Sequence, residues 1–157
     1  MPTIQLKAMT RKLCHELYKH WANDASIYMD MHLFQPYVYD EAAVNRYFDM
    51  KGQDASRRLF AIMLGDKVIG ELQLKQIDHD KKECSLSIHM QNDAVKGRGY
   101  GTQAERLAVK TAFDELGMAA VNADTIRKNT RSQHVLGKVG FRFVREDETF
   151  KYYRIER

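Results

Sequence analysis

Three apolar-rich runs crowd into residues 58–90, and the two breaks between them are short and polar. Arg58–Leu64 and Lys67–Gln76 are separated only by Gly65-Asp66, a dipeptide suited to a two-residue hairpin turn. Asp78–Lys82 is a charged turn, and in Glu83–Met90 the residues Cys84, Leu86, Ile88 and Met90 alternate with Ser85, Ser87 and His89. Alternation sends successive side chains to opposite faces of a strand. The stretch therefore predicts a three-stranded antiparallel meander, and the remaining residues have to cover its faces.

The flanks supply those covers. Thr3–Ala8 alternates as a short strand, and Thr10–Trp21 reads as a helix. Asn23–Tyr39 has no clean period, is rich in aromatic residues and methionine, and contains Pro36, which predicts a broken helical segment. Asp40 suits an N-cap for a helix through Ala43, Val44, Tyr47 and Phe48 that stops at Gly52. Beyond the meander, Ala104, Leu107, Ala108, Ala112 and Leu116 form an apolar helical stripe that ends at Gly117. Gln103, Glu105, Arg106, Lys110 and Asp114 fall on its other face. Met118–Ile126 reads as a strand, and Asn129 as the cap of a helix carrying Val135, Leu136 and Val139 to a stop at Gly140. Phe141–Val144 and Thr149–Ile155 close as a hairpin around Glu146-Asp147-Glu148.

The predicted class is α/β (α+β), a single domain over residues 1–157. It holds a mixed, mostly antiparallel sheet of six to seven strands with about four helices on both faces. The strand-helix-strand passages at 83–126 and 118–144 predict crossover connections. Composition narrows the function: 44% apolar and 29% charged residues describe an ordinary globular chain. No apolar run is long enough for a bilayer, and the N-terminal MPTIQLKAMTRK lacks the apolar core of a signal peptide, so a cytosolic location and no membrane partner are expected. Cys14 and Cys84 show neither CxxC nor Cys/His spacing, and the histidines show no HxxxH or HExxH, which predicts packed thiols and no metal site. The net charge of +4 is dispersed rather than clustered, so nucleic acid is not an expected partner.

Lys96-Gly97-Arg98-Gly99-Tyr100-Gly101-Thr102 stands between the third strand of the meander and a long helix. Glycine gives up more backbone freedom on folding than any other residue, so three at alternate positions imply a need for bare backbone. A helix N-terminus offers unpaired amides and the positive end of the helix dipole, and glycines let an anion approach them. Two phosphate patterns fail: no Lys-Ser or Lys-Thr follows a glycine, as a nucleotide-triphosphate loop requires, and Thr102 stands where a dinucleotide fingerprint needs its third glycine.

A third pattern, Gln/Arg-x-x-Gly-x-Gly/Ala, fits with Lys96 in the first position. Together with Asn129–Phe141, NTRSQHVLGKVGF, which is similar to an Asn-x-x-Ser/Ala helix ending in Gly-Phe, the stretch resembles the GNAT superfamily of acyl-CoA-dependent N-acetyltransferases. The likeness runs along nearly the whole chain and is strongest to the branch of ribosomal-protein N-terminal and spermidine acetyltransferases. It implies a V-shaped opening between strands 4 and 5 and acetyl-CoA as co-substrate. The diphosphate would lie on Lys96, Gly97, Arg98, Gly99, Tyr100, Gly101 and Thr102. The pantetheine arm would be held by backbone near Ile88, His89 and Met90 and by Asn129. The acceptor would be a peptide or small-molecule amine, with Trp21, Tyr28, Phe34 and Tyr37 near it. A homodimer is an open option for assembly.

Amide formation requires an uncharged amine, hence a base. His89, at the end of strand 4, is the first candidate, its plainer reading being a solvated strand-end histidine. Glu71 is the second, its plainer reading being an exposed sheet carboxylate. For the acid, many members of the superfamily have a tyrosine where this chain has Leu136. Ser132 is an alternative, or it holds the donor or bonds its own helix; Tyr152 and Tyr153 are further hydroxyls, unless they only pack. Cys84 is left open as an acyl carrier, against direct transfer in a ternary complex. A CoA-binding sensor without turnover is the competing reading.

Overall fold

The computed structural model describes residues 3–27 and 31–157. Its strands are β1 (Ile4–Ala8), β2 (Arg58–Leu64), β3 (Lys67–Asp78), β4 (Glu83–Met90), β5 (Ala120–Ile126), β6 (Arg142–Glu146) and β7 (Phe150–Glu156). Its helices are α1 (Arg11–Lys19), α2 (Glu41–Gly52), α3 (Tyr100–Asp114) and α4 (Thr130–Val139). The predicted meander is β2-β3-β4, antiparallel throughout, with Gly65 at φ 61° in its first turn. Short 3₁₀ turns at Ala25–Ile27 and Met31–Leu33 break the segment before α2. Tyr28 lies outside the described residues. Among the described residues, no helix is long and apolar enough to cross a membrane.

The seven strands form one sheet in the order β1-β2-β3-β4-β5-β7-β6. Only β4 and β5 run parallel, and α3 is the crossover that such a pair requires. The passage from β5 through α4 to β6 is also a crossover, since both strands run antiparallel to β7, which lies between them. β7 pairs along all of β5, from Ala120↔Glu156 to Ile126↔Phe150, whereas β6 is exposed along its whole length. The half-buried final strand takes the inner place, and the polar one takes the edge.

Helices cover both faces as expected. Leu72, Leu74, Leu86 and Val121 pack against Ala104, Ala108 and Ala112 of α3 and Leu136 of α4. On the opposite face Ala61, Met63 and Val68 meet Cys14 and Leu17 of α1 and Val44 of α2. β3, covered on both sides, is buried continuously from Val68 to Leu74. Thr10 caps α1, its side chain accepting from the Leu13 N–H at 3.1 Å. Asp40 occupies the N-cap position of α2 but makes no side-chain cap bond, so the predicted cap is one of place only.

One gap interrupts this sheet. β4 pairs with β5 only from Glu83↔Ala120 to Ser85↔Asn122. From there β4 follows β3 to Gly70↔Met90, while β5 follows β7 to Ile126↔Phe150. The strands diverge, and β4 backbone groups that point away from β3 beyond Ser85 have no neighbouring strand. This is the V-shaped opening that the sequence implied.

Candidate active site

The glycine stretch sits at the wide end of that opening. After β4, the Asn92 side chain accepts from the Ala94 N–H at 3.0 Å and starts a short turn, Asp93–Val95. Gly97 (φ 71°) and Gly99 (φ 81°) take left-handed backbone, and Gly99 is the N-cap of α3 with no side-chain cap bond. The first amides of α3 are thus left uncapped by any side chain. Gly101 is different: it lies inside the helix, and a Cβ there would meet nothing within 4 Å. Neither strain nor crowding within the chain demands glycine at 101. Bare backbone in open space beside a helix N-terminus fits a diphosphate that approaches the amides closely.

The two cations of the stretch are differently placed. Arg98 is exposed, its Nε donating to the Ala94 carbonyl at 3.1 Å. The Lys96 ammonium is held by Asp24 at 2.9 Å and Asp93 at 3.2 Å. Hydrogen bonds from Ser26 and Lys96 pull the Asp24 carboxyl down to about 2 despite its partial burial. Two further bonds stitch the same loop to the end of β4: Ala22 N–H to the Gln91 carbonyl at 2.9 Å, and Asn92 Nδ2 to the His20 carbonyl at 3.0 Å. Apart from the i,i+3 contact of Lys96 with Asp93, nothing local in sequence announces these pairings.

Across the opening, α4 starts at Asn129, whose Oδ1 accepts from the Ser132 N–H at 3.1 Å. Ser132 therefore lies in the first turn of α4. Leu136 is 3% exposed within the core, so the place that many GNAT members give to a tyrosine is filled by packed hydrocarbon. Tyr152 donates to Asp147 at 2.7 Å and lies under the Arg145 guanidinium, 3.8 Å from its ring. That commits it to the β6–β7 turn. Tyr153 stacks edge-on with Phe143, their ring centroids 5.9 Å apart. Cys84 is buried on the core side of β4, and burial pushes its thiol up to about 11, so it is no nucleophile near neutral pH.

The opposite face of β3 and β4 brings His89 and Glu71 together as a cross-strand pair. Glu71 is not the exposed sheet carboxylate that its place in an alternating strand allows. It is 3% exposed, because α1 and α2 close over it. Tyr18 donates to its Oε1, and the Tyr47 hydroxyl lies 2.9 Å from each carboxylate oxygen. Gln73 Nε2 donates to the Tyr47 hydroxyl at 3.2 Å, and Arg57 donates to Gln73 Oε1. Burial first, and then the Glu71 charge, raise both tyrosine hydroxyls above the ordinary value. Trp21 and Tyr37 join this group, with centroids 4.8 Å and 5.8 Å from the Tyr18 ring. Phe34 is half-buried in the adjoining segment.

His89 is exposed at the end of β4, with no hydrogen-bond partner for its ring among the described residues. Loss of surrounding water lowers its pKa, Lys75 and Lys96 act in the same direction, and Glu71 opposes them.

Sequence reasoning missed one group, Glu105. Its expected place was the polar face of α3; it is 1% exposed, and its Oε1 has no hydrogen-bond partner among the described residues. Burial pushes its carboxyl up to about 8. The available signal was spacing: Glu105 follows Gly101 by one helical turn and adjoins Ala104 of the apolar stripe.

The split sheet thus carries an uncapped helix start with open glycine at the end of its gap and the Glu71–His89 pair on its reverse face. The chain belongs to the acetyltransferase (GNAT) domain family, whose model matches residues 4–142. A 76-residue stretch is 34% identical to the probable N-acetyltransferase YjcK of Bacillus subtilis (strain 168), covering 48% of this chain and 42% of that protein. The matched stretch thus spans less than half the length of that curated relative. In shape it is similar to spermidine N-acetyltransferase from Vibrio cholerae in complex with CoA and spermine, with TM-score 0.79 and 17% identity over 98% of this chain and 95% of that one. It is also similar to the Campylobacter jejuni N-acetyltransferase PseH, with TM-score 0.73 and 18% identity over 99% of each chain. At such identities the structural likeness is one of fold.

Proposed function

We propose that the chain transfers the acetyl group of acetyl-CoA directly to a primary amine in a ternary complex. The acceptor is a protein N-terminus, a polyamine or another small amine. The observation that carries this reading is the meeting of two unlike surfaces at the one gap in the sheet: uncapped amides and open glycine at the start of α3, and His89 with Glu71 on the reverse side.

Amines near neutral pH are largely protonated, with reference pKa values of about 8 for an α-amino group and about 10 for a side-chain amine. His89 takes the surplus proton, and the Glu71 charge across the strand pair favours the cationic acceptor. The amine lone pair then attacks the acetyl carbonyl carbon, whose oxygen is polarised by a β4 backbone N–H near Met90. The carbon–sulfur bond breaks as the amide forms. The attacking nitrogen sheds its second proton as the amide forms, and that proton reaches the departing thiolate, whose reference pKa is near 8.5, by relay through the Ser132 hydroxyl or a water. Asn129 and the β4 backbone at Ile88 and Met90 hold the donor arm, and residues 96–102 hold the diphosphate. The buried, high-pKa thiol of Cys84 supports direct transfer over an acyl-enzyme.

A CoA-binding sensor without turnover is the second reading, and Leu136 in place of a tyrosine favours it. Following thiol release from acetyl-CoA across a panel of amines and peptides separates the two. Acceleration by an amine is expected, with His89→Ala lowering the rate by about 10²–10⁴-fold and flattening its pH profile. Acetyl-CoA that raises the melting temperature while no amine accelerates release would leave the sensor. No thermal shift with either acetyl-CoA or CoA would remove both readings.

A further inference from the structure

Residue 105 is a position where helix packing calls for hydrocarbon. α3 lays Ala104, Ala108 and Ala112 on the sheet, and Gln103 reaches β1, its Oε1 accepting from the Ile4 N–H at 3.1 Å. Two residues turn a helix by roughly 200°, so Glu105 leaves on the flank away from β1, toward β5 and α4.

Depth agrees with direction. α3 begins beside the end of β4 and runs back over the sheet, so Glu105 lies roughly 8 Å along it at 1.5 Å per residue. β4 is free of β5 from Leu86 to Met90, a length of roughly 16 Å at 3.3 Å per residue. The carboxyl therefore lies over the open part of the split. It is also one turn behind Gly101, the glycine that nothing in the chain requires. An oxygen in a residue 1% exposed, without a partner among the described residues, is a net loss to folding that leucine would avoid.

We infer that Glu105 binds the pantetheine arm of the acyl donor, meeting one of its amide groups in the β4–β5 opening. This inference rests on the donor reading above. A protonated carboxyl offers one O–H donor and a carbonyl acceptor, the complement of a secondary amide. A carboxylate could only accept, and it would place negative charge behind the amides that face the diphosphate. Burial keeps the proton on.

Titration calorimetry at pH 7 without acceptor tests this on the wild type, Glu105→Gln and Glu105→Leu, each with acetyl-CoA and with adenosine 3′,5′-bisphosphate, which lacks the arm. Glutamine keeps a donor and an acceptor and should bind acetyl-CoA within about threefold of the wild type, whereas leucine should bind it about tenfold or more weakly. The bisphosphate should bind all three alike. A leucine variant that binds acetyl-CoA as tightly as the wild type, or that loses both ligands equally, overturns the inference while leaving the donor reading intact. A wild type that binds neither ligand overturns the donor reading, and the inference falls with it. Thermal unfolding of the unliganded variants shows that each is folded.

Discussion

Glu71 and Glu105 are enclosed on opposite sides of the same sheet, at 3% and 1% exposure, and the surroundings treat them differently. α1 and α2 bring two tyrosine hydroxyls to Glu71, so the fold alone satisfies it. Glu105 adjoins Ala104 of the apolar core on α3, and one of its oxygens has no hydrogen-bond partner among the described residues. A buried acid surrounded by donors is part of the architecture. One with an unpartnered oxygen is where the inferred donor arm would fit.

The same substitution should therefore act with opposite sign at the two sites. Glu105→Leu carries the largest effect. The folded carboxyl titrates at about 8 against an ordinary 4.5, so between those values the folded state keeps a proton that the unfolded chain gives up. Stability then falls as pH rises through that window and levels off above it. At pH 8.5 the leucine variant should be more stable by on the order of 3–5 kcal/mol, a gain that shrinks toward pH 5. Urea unfolding at both pH values checks it, and an equal gain at both would mean that the acid is not held protonated.

Glu71→Leu should instead destabilise by about 2–3 kcal/mol, because the Tyr18 and Tyr47 hydroxyls lose their acceptor. If both leucine variants shift stability in the same direction, the contrast between the two faces is wrong. The smallest stability effect belongs to Gly101→Val, under about 1 kcal/mol since its Cβ meets nothing, with acetyl-CoA affinity falling more than about tenfold. Gly99→Val would confound that reading, because the left-handed backbone at 99 adds strain of its own.

The donor side was far more legible in sequence than the acceptor side, for reasons of range. Strand alternation, the Gly65-Asp66 turn, the Asn129 cap and the Gly140 stop are each set by residues a few places apart, and β2 to β4 and α4 follow them closely. The Glu71 network joins residues 24 and 53 positions apart, and the Lys96–Asp24 bond spans 72. No periodicity encodes such pairings. Polarity also misled: β3 reads as an alternating strand, yet Glu71 and Gln73 are buried because helices cover both of its faces. Glu105 was assigned to the polar side of α3 on its charge, a property that burial removes.

Lys96 lies at the head of the glycine stretch, but its single positive charge is shared by two carboxylates, Asp24 and Asp93. Those three groups sum to one negative charge. On the proposed reading, and among the described residues of the stretch, the attraction for an incoming polyanion falls to Arg98 and to the fixed dipoles of the α3 amides. Dipoles in a helix end release no counterions, so the dissociation constant of the donor should vary only shallowly with ionic strength, about as one free cation dictates, although the stretch reads on paper as a doubly charged clamp.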